Sequence, residues 1–339
     1  MYTNQSVKRI GFACKWAEIN KKGEIVSAEG LNTGGTTQAW AKRNKRDVVE
    51  EKIMDVAKRN ILNTHALVKK VATLDPQLRM LRLTSDMFSF YTMDEYKDFW
   101  HSTDVQNSLE RWMAPIGETA RANDVRLSFH PDQFVVLASD REEVVNKSIE
   151  EFEYHCDMVR WMGYGKSFQD FKVNVHISGR KGPQGIRDVY NRLSPEARNT
   201  LTLEKEEYTH GLTDCLSLSD LVPTVMDIHH NWIREGSYIN CNDDLVKKVI
   251  DSWRGCRPTM HYSVSREDVL TAHSTTRLPD HGALIESGHN KQKLRAHSDY
   301  FWNDAVNDWA LTFHDKFDIM CESKGKNLAS FKLLEHAKR

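Results

Sequence analysis

The sequence predicts an α/β protein and, within that class, a TIM (β/α)8 barrel. Eight short apolar segments typical of β-strands alternate with longer amphipathic stretches typical of helices. An open doubly wound sheet would normally carry a glycine-rich phosphate turn after its first strand, and Gly34 and Gly35 in LNTGGTT do not form one. The strand count and the missing turn therefore favour a closed barrel.

The predicted strands have apolar cores, and most of them end in a polar residue. The first strand, RIGFACK, is followed by seven segments that each end in a residue able to bind a metal ion or a reacting oxygen. In chain order these are RMLRLTSD ending at Asp86, VRLSFH at His130, KVNVHIS with His176, TLTLE at Glu204, PTVMDIHH with Asp227 and His230, PTMHYS with His261, and FDIMCE at Glu322.

Helical periodicity fills most of the chain between these strands. A polar loop from Trp16 to Arg46 comes first. No proline-rich or low-complexity linker divides the chain, so we expect one domain over residues 1–339. The predicted helices cover Asp47–Thr73, Asp94–Asn123, Arg141–Gly163, Asp188–Arg198, Asp214–Leu221, Asp243–Arg254 and Lys326–Lys338.

Composition narrows the class of protein. The start, MYTNQSVKRIGF, has no long apolar stretch and no later run has the length of a membrane span, so we expect a cytoplasmic protein without membrane contact. The six cysteines include no CxxC pair, which argues against a thiolate zinc site or a disulfide framework. The net charge of −1 means that any contact with nucleic acid must come from local patches. Nothing implies an obligate protein partner.

The strand ends predict a metal centre. If the strands run parallel, their carboxyl ends meet on one face of the barrel, where such folds keep their chemistry. Four imidazoles and four carboxylates without thiolates suit Zn²⁺, Mn²⁺ or a similar divalent ion, and they exceed what one ion needs. Two or three ions are therefore expected, with Glu204 and Asp227 as bridging candidates. Such a centre could hydrolyse phosphodiesters or isomerise sugars.

The order of motifs resembles that of one known family. These motifs are RIGFAC, RLTSD, LSFHPDQFVVLAS, NVHISG, LTLEKEE, MDIHHN, HYS, RAHSDY and CESKGK. The chain resembles the UV damage endonucleases, which are similar in fold and metal arrangement to endonuclease IV. The resemblance implies a DNA repair enzyme that nicks damaged double-stranded DNA on the 5′ side of pyrimidine dimers and 6-4 photoproducts.

The resemblance also implies roles for individual residues. The catalytic residues would be Glu204, Asp227 and Glu322, and Mn²⁺ is favoured over Zn²⁺, Co²⁺ or Mg²⁺. Gln133 and Phe134 would wedge into the duplex at the lesion, although Phe134 also begins the apolar run FVVLA and could instead pack in the core. The metal ligands would be His130, His176, Glu204, Asp227, His230, His261, His297 and Glu322.

The chain departs from the family pattern in two places. Where members often carry an aromatic residue and, four positions later, an asparagine, this chain has Phe12 and Trp16, so we expect both to contact the lesion by stacking. Some members have a carbamate-modified lysine two residues before the histidine that corresponds to His261. Thr259 holds that position here, so the contribution of that lysine must be absent or replaced.

Several alternatives stay open. An endonuclease IV-type enzyme would cut at abasic sites, and a xylose-isomerase-like enzyme would isomerise or epimerise sugars. His229 adjoins His230, and we expect only one of the pair to face the metals because neighbours on a strand point in opposite directions. The segment from His273 to His297 is expected to form a long loop that faces DNA.

Overall fold

The prediction of a TIM barrel is confirmed. In the computed structural model, which describes residues 3–206 and 208–339, eight parallel strands close into a barrel in the order β1-β10-β9-β8-β7-β6-β5-β4. The barrel strands are β1 (Ile10–Ala13), β4 (Met80–Arg82), β5 (Arg126–Phe129), β6 (Lys172–His176), β7 (Leu201–Glu204), β8 (Thr224–Asp227), β9 (Thr259–Tyr262) and β10 (Asp318–Cys321).

A small hairpin and fourteen helices surround the barrel in the described part of the chain. The hairpin pairs β2 (Ala17–Ile19) with β3 (Ile25–Ser27). The helices are α1 (Gln38–Ala41), α2 (Arg46–Ala72), α3 (Lys97–Trp100), α4 (Thr103–Ala122), α5 (Glu142–Trp161), α6 (Gly182–Tyr190), α7 (Pro195–Thr200), α8 (Leu212–Leu216), α9 (Ile228–Glu235), α10 (Asp244–Ser252), α11 (His281–Glu286), α12 (Lys291–Leu294), α13 (Asp304–Leu311) and α14 (Asn327–Ala337).

Two predicted helices are interrupted in the structure. The helix predicted over Asp94–Asn123 breaks before Ser102, whose extended backbone precedes α4. The helix predicted over Asp188–Arg198 is instead α6 and α7, because the Ser194 hydroxyl accepts a hydrogen bond from the Ala197 amide and caps a new helix. Pro195 then occupies the first helical position, where its missing N–H costs nothing.

The polar loop predicted from Trp16 to Arg46 contains the hairpin and α1. The sequence analysis also missed α9 and α11–α13. Within the described residues, no helix combines the length and the apolarity that a membrane crossing needs.

Two apolar layers fix the barrel. Outward side chains of the strands pack against the surrounding helices, as Phe129 does against His155 of α5, with ring centroids 5.5 Å apart. Inward side chains fill the interior, where Ala13, Met80 and Met320 form a small separate cluster. Gly11 allows this packing, since a Cβ atom there would lie 2.6 Å from the Met80 side chain. The filled interior leaves the upper strand ends as the place for polar chemistry.

Candidate active site

Six of the predicted ligands meet at the carboxyl ends of the strands. His176, Glu204 and Asp227 are the last residues of β6, β7 and β8. His261 lies within β9, and His130 and Glu322 directly follow β5 and β10. In a parallel barrel all these positions lie at the same end, so residues scattered over the chain become neighbours.

These six side chains form three overlapping groups, in each of which one potential ligand atom per residue lies within 4.8 Å of the others. Glu204 belongs to two groups: its Oε2 lies 3.2 Å from Nε2 of His130 and 3.0 Å from Nδ1 of His261. The groups are His130–His261–Glu322, His130–His176–Glu204 and Glu204–Asp227–His261. Sharing of ligands is the arrangement expected of a multinuclear centre.

Buried polar atoms without partners show that these residues suit cations. Oε1 of Glu204 and Oδ2 of Asp227 are buried and make no hydrogen bond. Such atoms cost free energy unless something compensates them. Divalent cations would provide this compensation. Mn²⁺ and Zn²⁺ both accept oxygen and imidazole nitrogen as ligands.

The protonation states fit the same conclusion. Burial lowers the pKa of His130 to about 3, so the imidazole is neutral at physiological pH, as a metal ligand must be. Burial and the neighbouring Glu204 carboxylate raise the pKa of Asp227 well above its ordinary value. Carboxylates crowded together resist ionisation until a cation offsets their charges.

His230 and His297 lie on the outer side of the centre. Nδ1 of His230 is 3.5 Å from Oδ2 of Asp227 and 3.7 Å from Oε1 of Glu204. The His297 ring is 6.4 Å from that of His230, and both line a cavity of about 490 Å³ with His176 and Gln133. Neither joins the three compact groups. The metal-binding role of all eight residues stays a prediction.

His229 and His230 lie on a helix and not, as predicted, on a strand. The strand ends at Asp227, and both histidines belong to α9. Asp227 caps this helix, because its Oδ1 accepts the amide of His230 at 2.7 Å. His229 instead packs on Trp232, and its Nε2 contacts the carbonyl of Leu294 at 3.2 Å. Only His230 therefore faces the centre, owing to helical rather than strand geometry.

Asp86 does not join the centre. Its strand, β4, ends at Arg82, and the intervening residues carry Asp86 to the wall of a cavity of about 910 Å³. Phe134 and His130 line the same cavity. The prediction that every strand-end carboxylate converges was therefore wrong for Asp86.

The Gln133–Phe134 turn projects from the catalytic face. Phe134 is 77% exposed, which excludes its alternative placement in the core. The turn is held from both sides: Asp132 Oδ1 accepts the Gln133 amide, and the buried Val135 donates its amide to the Asp132 carbonyl. An exposed aromatic ring on a fixed turn beside the ligands can enter a disturbed base stack.

Phe12 and Trp16 are placed differently from the prediction. Both are buried, with ring centroids 5.7 Å apart, and Trp16 also packs against Phe331 at 5.8 Å. Lys70 covers the Trp16 ring at 4.7 Å. Neither ring offers a surface for stacking on DNA, because both are buried in the core.

Three polar residues near the ligands were missed by the sequence analysis. Arg82 forms an ion pair with Glu322, Nδ2 of Asn174 donates to Oε2 of Glu204 at 2.5 Å, and Nζ of Lys172 lies 3.4 Å from Nε2 of His261. Inward positions recur every second residue along a strand. That period, counted back from His176, could have located Asn174 and Lys172.

Lys172 and Thr259, the residue that departs from the family pattern, both lie near His261: Lys172 contacts its ring, and Thr259 precedes it by two residues on β9. Both are buried, and Oγ1 of Thr259 has no hydrogen-bond partner. Burial lowers the pKa of Lys172 to about 7. This chain thus carries an amine beside His261 that comes from β6 instead of β9.

Comparison with known proteins places the chain in a family. The model of the UV-endonuclease UvdE family matches residues 8–339. The chain belongs to this family. The matched range spans the positions of all the predicted ligands and of the Gln133–Phe134 turn. The last glutamate of the LTLEKEE motif, Glu207, lies outside the described residues.

Individual members of the family are distant in sequence. A putative UV-damage endonuclease of Acanthamoeba polyphaga mimivirus is 27% identical over 290 residues, covering 82% of this chain and 83% of that protein. A UV DNA damage endonuclease of Bacillus mycoides (strain KBAB4) is 24% identical over 309 residues, covering 88% of this chain and 87% of that protein.

Solved structures share the fold. The crystal structure of SacUVDE superposes with a TM-score of 0.71 at 22% identity, covering 97% of this chain and 98% of the other. Endonuclease IV from Thermus thermophilus superposes with a TM-score of 0.51 at 12% identity, covering 81% of this chain and 94% of the other. The UV-endonuclease family thus shares its barrel with endonuclease IV.

Proposed function

We propose that this UV-damage endonuclease is metal-dependent and hydrolyses a phosphodiester bond of duplex DNA on the 5′ side of ultraviolet photoproducts. The observation that carries the proposal is the set of three overlapping ligand groups joined by His130, Glu204 and His261. Family membership supplies the class of enzyme, a nuclease that acts on damaged DNA.

The residues have distinct roles in this proposal. Glu204 would bridge two divalent ions, one held with His130 and His176 and the other with Asp227 and His261. His230 and His297 would bind metal from the outer side of the centre. Glu322 lies beside Arg82. Bound ions would activate a water molecule and neutralise the leaving oxygen. Mn²⁺ fits this donor set, and the number proposed is two or three.

Hydrogen bonds within the chain orient two of the proposed ligands. Thr202 donates a hydrogen bond to Asn174 at 2.8 Å, and Asn174 in turn donates to Glu204, so the central carboxylate is held from below. Asp227 is fixed through its cap on α9. Such support fixes ligand orientation and strengthens metal binding.

The Gln133–Phe134 turn would select the damaged site. A photodimer stacks poorly and is cheaper to displace from the helix than an intact pair. Phe134 could fill the resulting gap and recover stacking worth about 1–3 kcal/mol per base. Selectivity would then follow from how easily the duplex deforms at the lesion, while the substrate as a whole is damaged double-stranded DNA.

The test is incision of a labelled duplex that contains one defined cyclobutane dimer. We expect a single cut 5′ to the dimer, its loss after chelation, and its return when Mn²⁺ is added. A duplex with one abasic site and an undamaged duplex are the controls. Faster cutting at the abasic site would favour the endonuclease IV-type activity, and nicking by thoroughly chelated protein would overturn the metal-dependent mechanism.

A further inference from the structure

Lys326, which follows the last barrel strand and precedes α14, lies in a strained backbone conformation. Its φ of 53° and ψ of −127° belong to a region that residues other than glycine rarely adopt, because the Cβ atom is crowded there. Such strain costs free energy and persists where the surrounding structure enforces it, often at functional sites. A glycine would occupy this position with less strain, so a lysine here is unfavourable for folding.

Hydrogen bonds on both sides of Lys326 enforce this conformation. The side chain of Asn327 accepts the Ala17 amide at 2.7 Å and donates to the Ala17 carbonyl at 3.1 Å. On the other side, the Gly325 amide donates to the Asp299 carbonyl at 2.9 Å. The chain is thus held both before and after Lys326, so its neighbours fix the position of this residue.

The Lys326 side chain adds positive charge beside the proposed metal centre. It is partly buried, and the ionisable groups that act on it include Cys14, Lys15, Arg82 and Glu322. Glu322 already forms an ion pair with Arg82, whereas the ammonium group of Lys326 forms neither a hydrogen bond nor an ion pair with any described residue. Two lysines and one arginine therefore meet one carboxylate, and this edge of the centre has an excess of positive charge.

The cavity of about 910 Å³ next to this edge is acidic. Four carboxylates and one lysine line it, contributed by Asp86, Asp132, Glu143, Glu151 and Lys147. Cys14, a neighbour of Lys326, belongs to the same wall. Carboxylates repel the phosphates of DNA, whereas cationic side chains attract them. The charge distribution therefore favours a DNA backbone that passes on the side of Lys326 and not through the cavity.

We propose that Lys326 binds a backbone phosphate of the damaged strand at this edge of the metal centre and thereby positions the strand for incision. This inference rests on the metal-dependent incision proposed above. An ammonium group is a compact cation with three donors, which suits contact with a phosphate oxygen. The contact carries no sequence information, so Lys326 contributes to the binding of any duplex, while the choice of the lesion stays with the Gln133–Phe134 turn. The enforced backbone conformation then serves to place the ammonium group.

The test measures how Lys326→Met changes the affinity of Mn²⁺-loaded protein for DNA. Single-turnover nicking at increasing protein concentration gives the half-saturating concentration for dimer-containing duplex, and fluorescence anisotropy gives the affinity for undamaged duplex. We expect both affinities to fall by about 10-fold, because a hydrogen bond to a charged group is lost. The slope of log affinity against log salt concentration should decrease by about one, because one phosphate contact is removed.

Three further variants are the controls. Lys326→Arg keeps the charge and should keep the salt slope. Lys326→Gly removes the charge together with the strain, so it should bind as weakly as Lys326→Met without a lower melting temperature. It takes the place of that variant if Lys326→Met fails to fold. Lys338→Met, at the other end of α14, neutralises an exposed lysine and should change neither the affinity nor the slope.

Wild-type affinity and salt slope in folded Lys326→Met or Lys326→Gly would overturn the inference. A weaker affinity with an unchanged slope would also contradict it, since the loss would then not come from a phosphate contact. Wild-type protein that fails to nick dimer-containing duplex would instead contradict the proposed function. The anisotropy comparison would still decide in that case whether Lys326 binds phosphate.

Discussion

Glu204 is the residue on which the candidate centre depends most. It is 1% exposed, belongs to two ligand groups, and has one oxygen held by Asn174 while the other lacks a partner. A carboxylate held at one oxygen can present the rest of its charge in a fixed direction. Its chemistry can therefore be tested by a change that preserves its shape.

We predict that Glu204→Gln lowers the incision rate by about 10³-fold or more while the fold and the binding of damaged duplex persist. A neutral amide cannot bridge two cations, and its NH₂ group would face the amide donor of Asn174. Single-turnover nicking, circular dichroism and a binding assay with dimer-containing duplex measure the three properties. Glu110→Gln, an exposed carboxylate on α4, is the control. Near-normal turnover would make Glu204 a structural residue.

His155 gives a prediction for pH that is independent of the metal centre. It is fully buried on α5, where Nδ1 contacts the Glu151 carbonyl at 2.8 Å and Nε2 has no partner. Burial lowers the pKa of His155 to about 4. Between pH 6.5 and 4, His155 is therefore protonated in the unfolded chain but neutral in the folded protein. The free energy of unfolding consequently decreases as the pH falls.

We predict that acidification from pH 7.5 to pH 4.5 costs the wild type about 2–3 kcal/mol more stability than it costs His155→Gln. Glutamine can keep the hydrogen bond to Glu151 and does not titrate. Urea unfolding of both proteins at both pH values measures the difference. Equal losses in the two proteins would mean that His155 is not held neutral.

At the scale of elements, the segment after β5 combines a buried part that anchors it with an exposed aromatic side chain. Val135, Leu137 and Ala138 are buried and anchor the segment, and the Val136 amide donates to the Ser148 hydroxyl of α5 at 2.9 Å. Phe134 is left projecting into solvent. An exposed apolar ring on an anchored turn contributes little to folding and is available for binding.

We predict that replacing Gln133 and Phe134 together by alanine lowers the preference for dimer-containing over undamaged duplex by roughly 5-fold to 150-fold, the equivalent of about 1–3 kcal/mol. Bound metal and melting temperature should hardly change. Leu62→Ala on α2, which removes another exposed apolar side chain, is the matched control. Unchanged selectivity in the double variant would remove the turn from lesion recognition.

At the scale of the whole molecule, the barrel is closed at its amino-terminal end by a buried ion cluster. Asp318, the first residue of β10, is fully buried. Its carboxylate accepts from the Arg9 amide at 2.9 Å, from Arg126 at 2.6 Å and from Arg257 at 2.7 Å. The cluster ties β1, β5, β9 and β10 together at the end opposite the ligands.

We predict that Asp318→Asn destabilises the protein by about 3–5 kcal/mol, because it leaves buried arginines without their shared carboxylate. Asp315→Asn, which breaks the exposed ion pair with Lys8, should leave the stability nearly unchanged. Urea unfolding measures both. Incision per folded molecule should be the same in both variants, and a selective loss of incision in Asp318→Asn would show that the two ends of the barrel are coupled.

The barrel and most of its centre could be predicted from local sequence patterns alone. Strands buried on both faces read as short apolar runs, and parallel strands bring their carboxyl ends together. His130, His176, Glu204, Asp227 and His261 could therefore be predicted to converge. Long helices such as α2 were predicted within a residue or two for the same kind of reason, because a periodic apolar stripe is a local property.

Two kinds of feature are visible in the folded chain and not in the sequence. They are the residues at which strands end and the charged side chains that come into contact. β4 stops at Arg82, so the following residues place Asp86 on a cavity wall, outside the three ligand groups. Arg82 and Glu322 are 240 positions apart and meet because barrel closure places β1 alone between their strands. Trp16 is covered by Phe331 of α14, which follows the last strand. Such contacts depend on loop paths and barrel closure, which local sequence patterns do not encode.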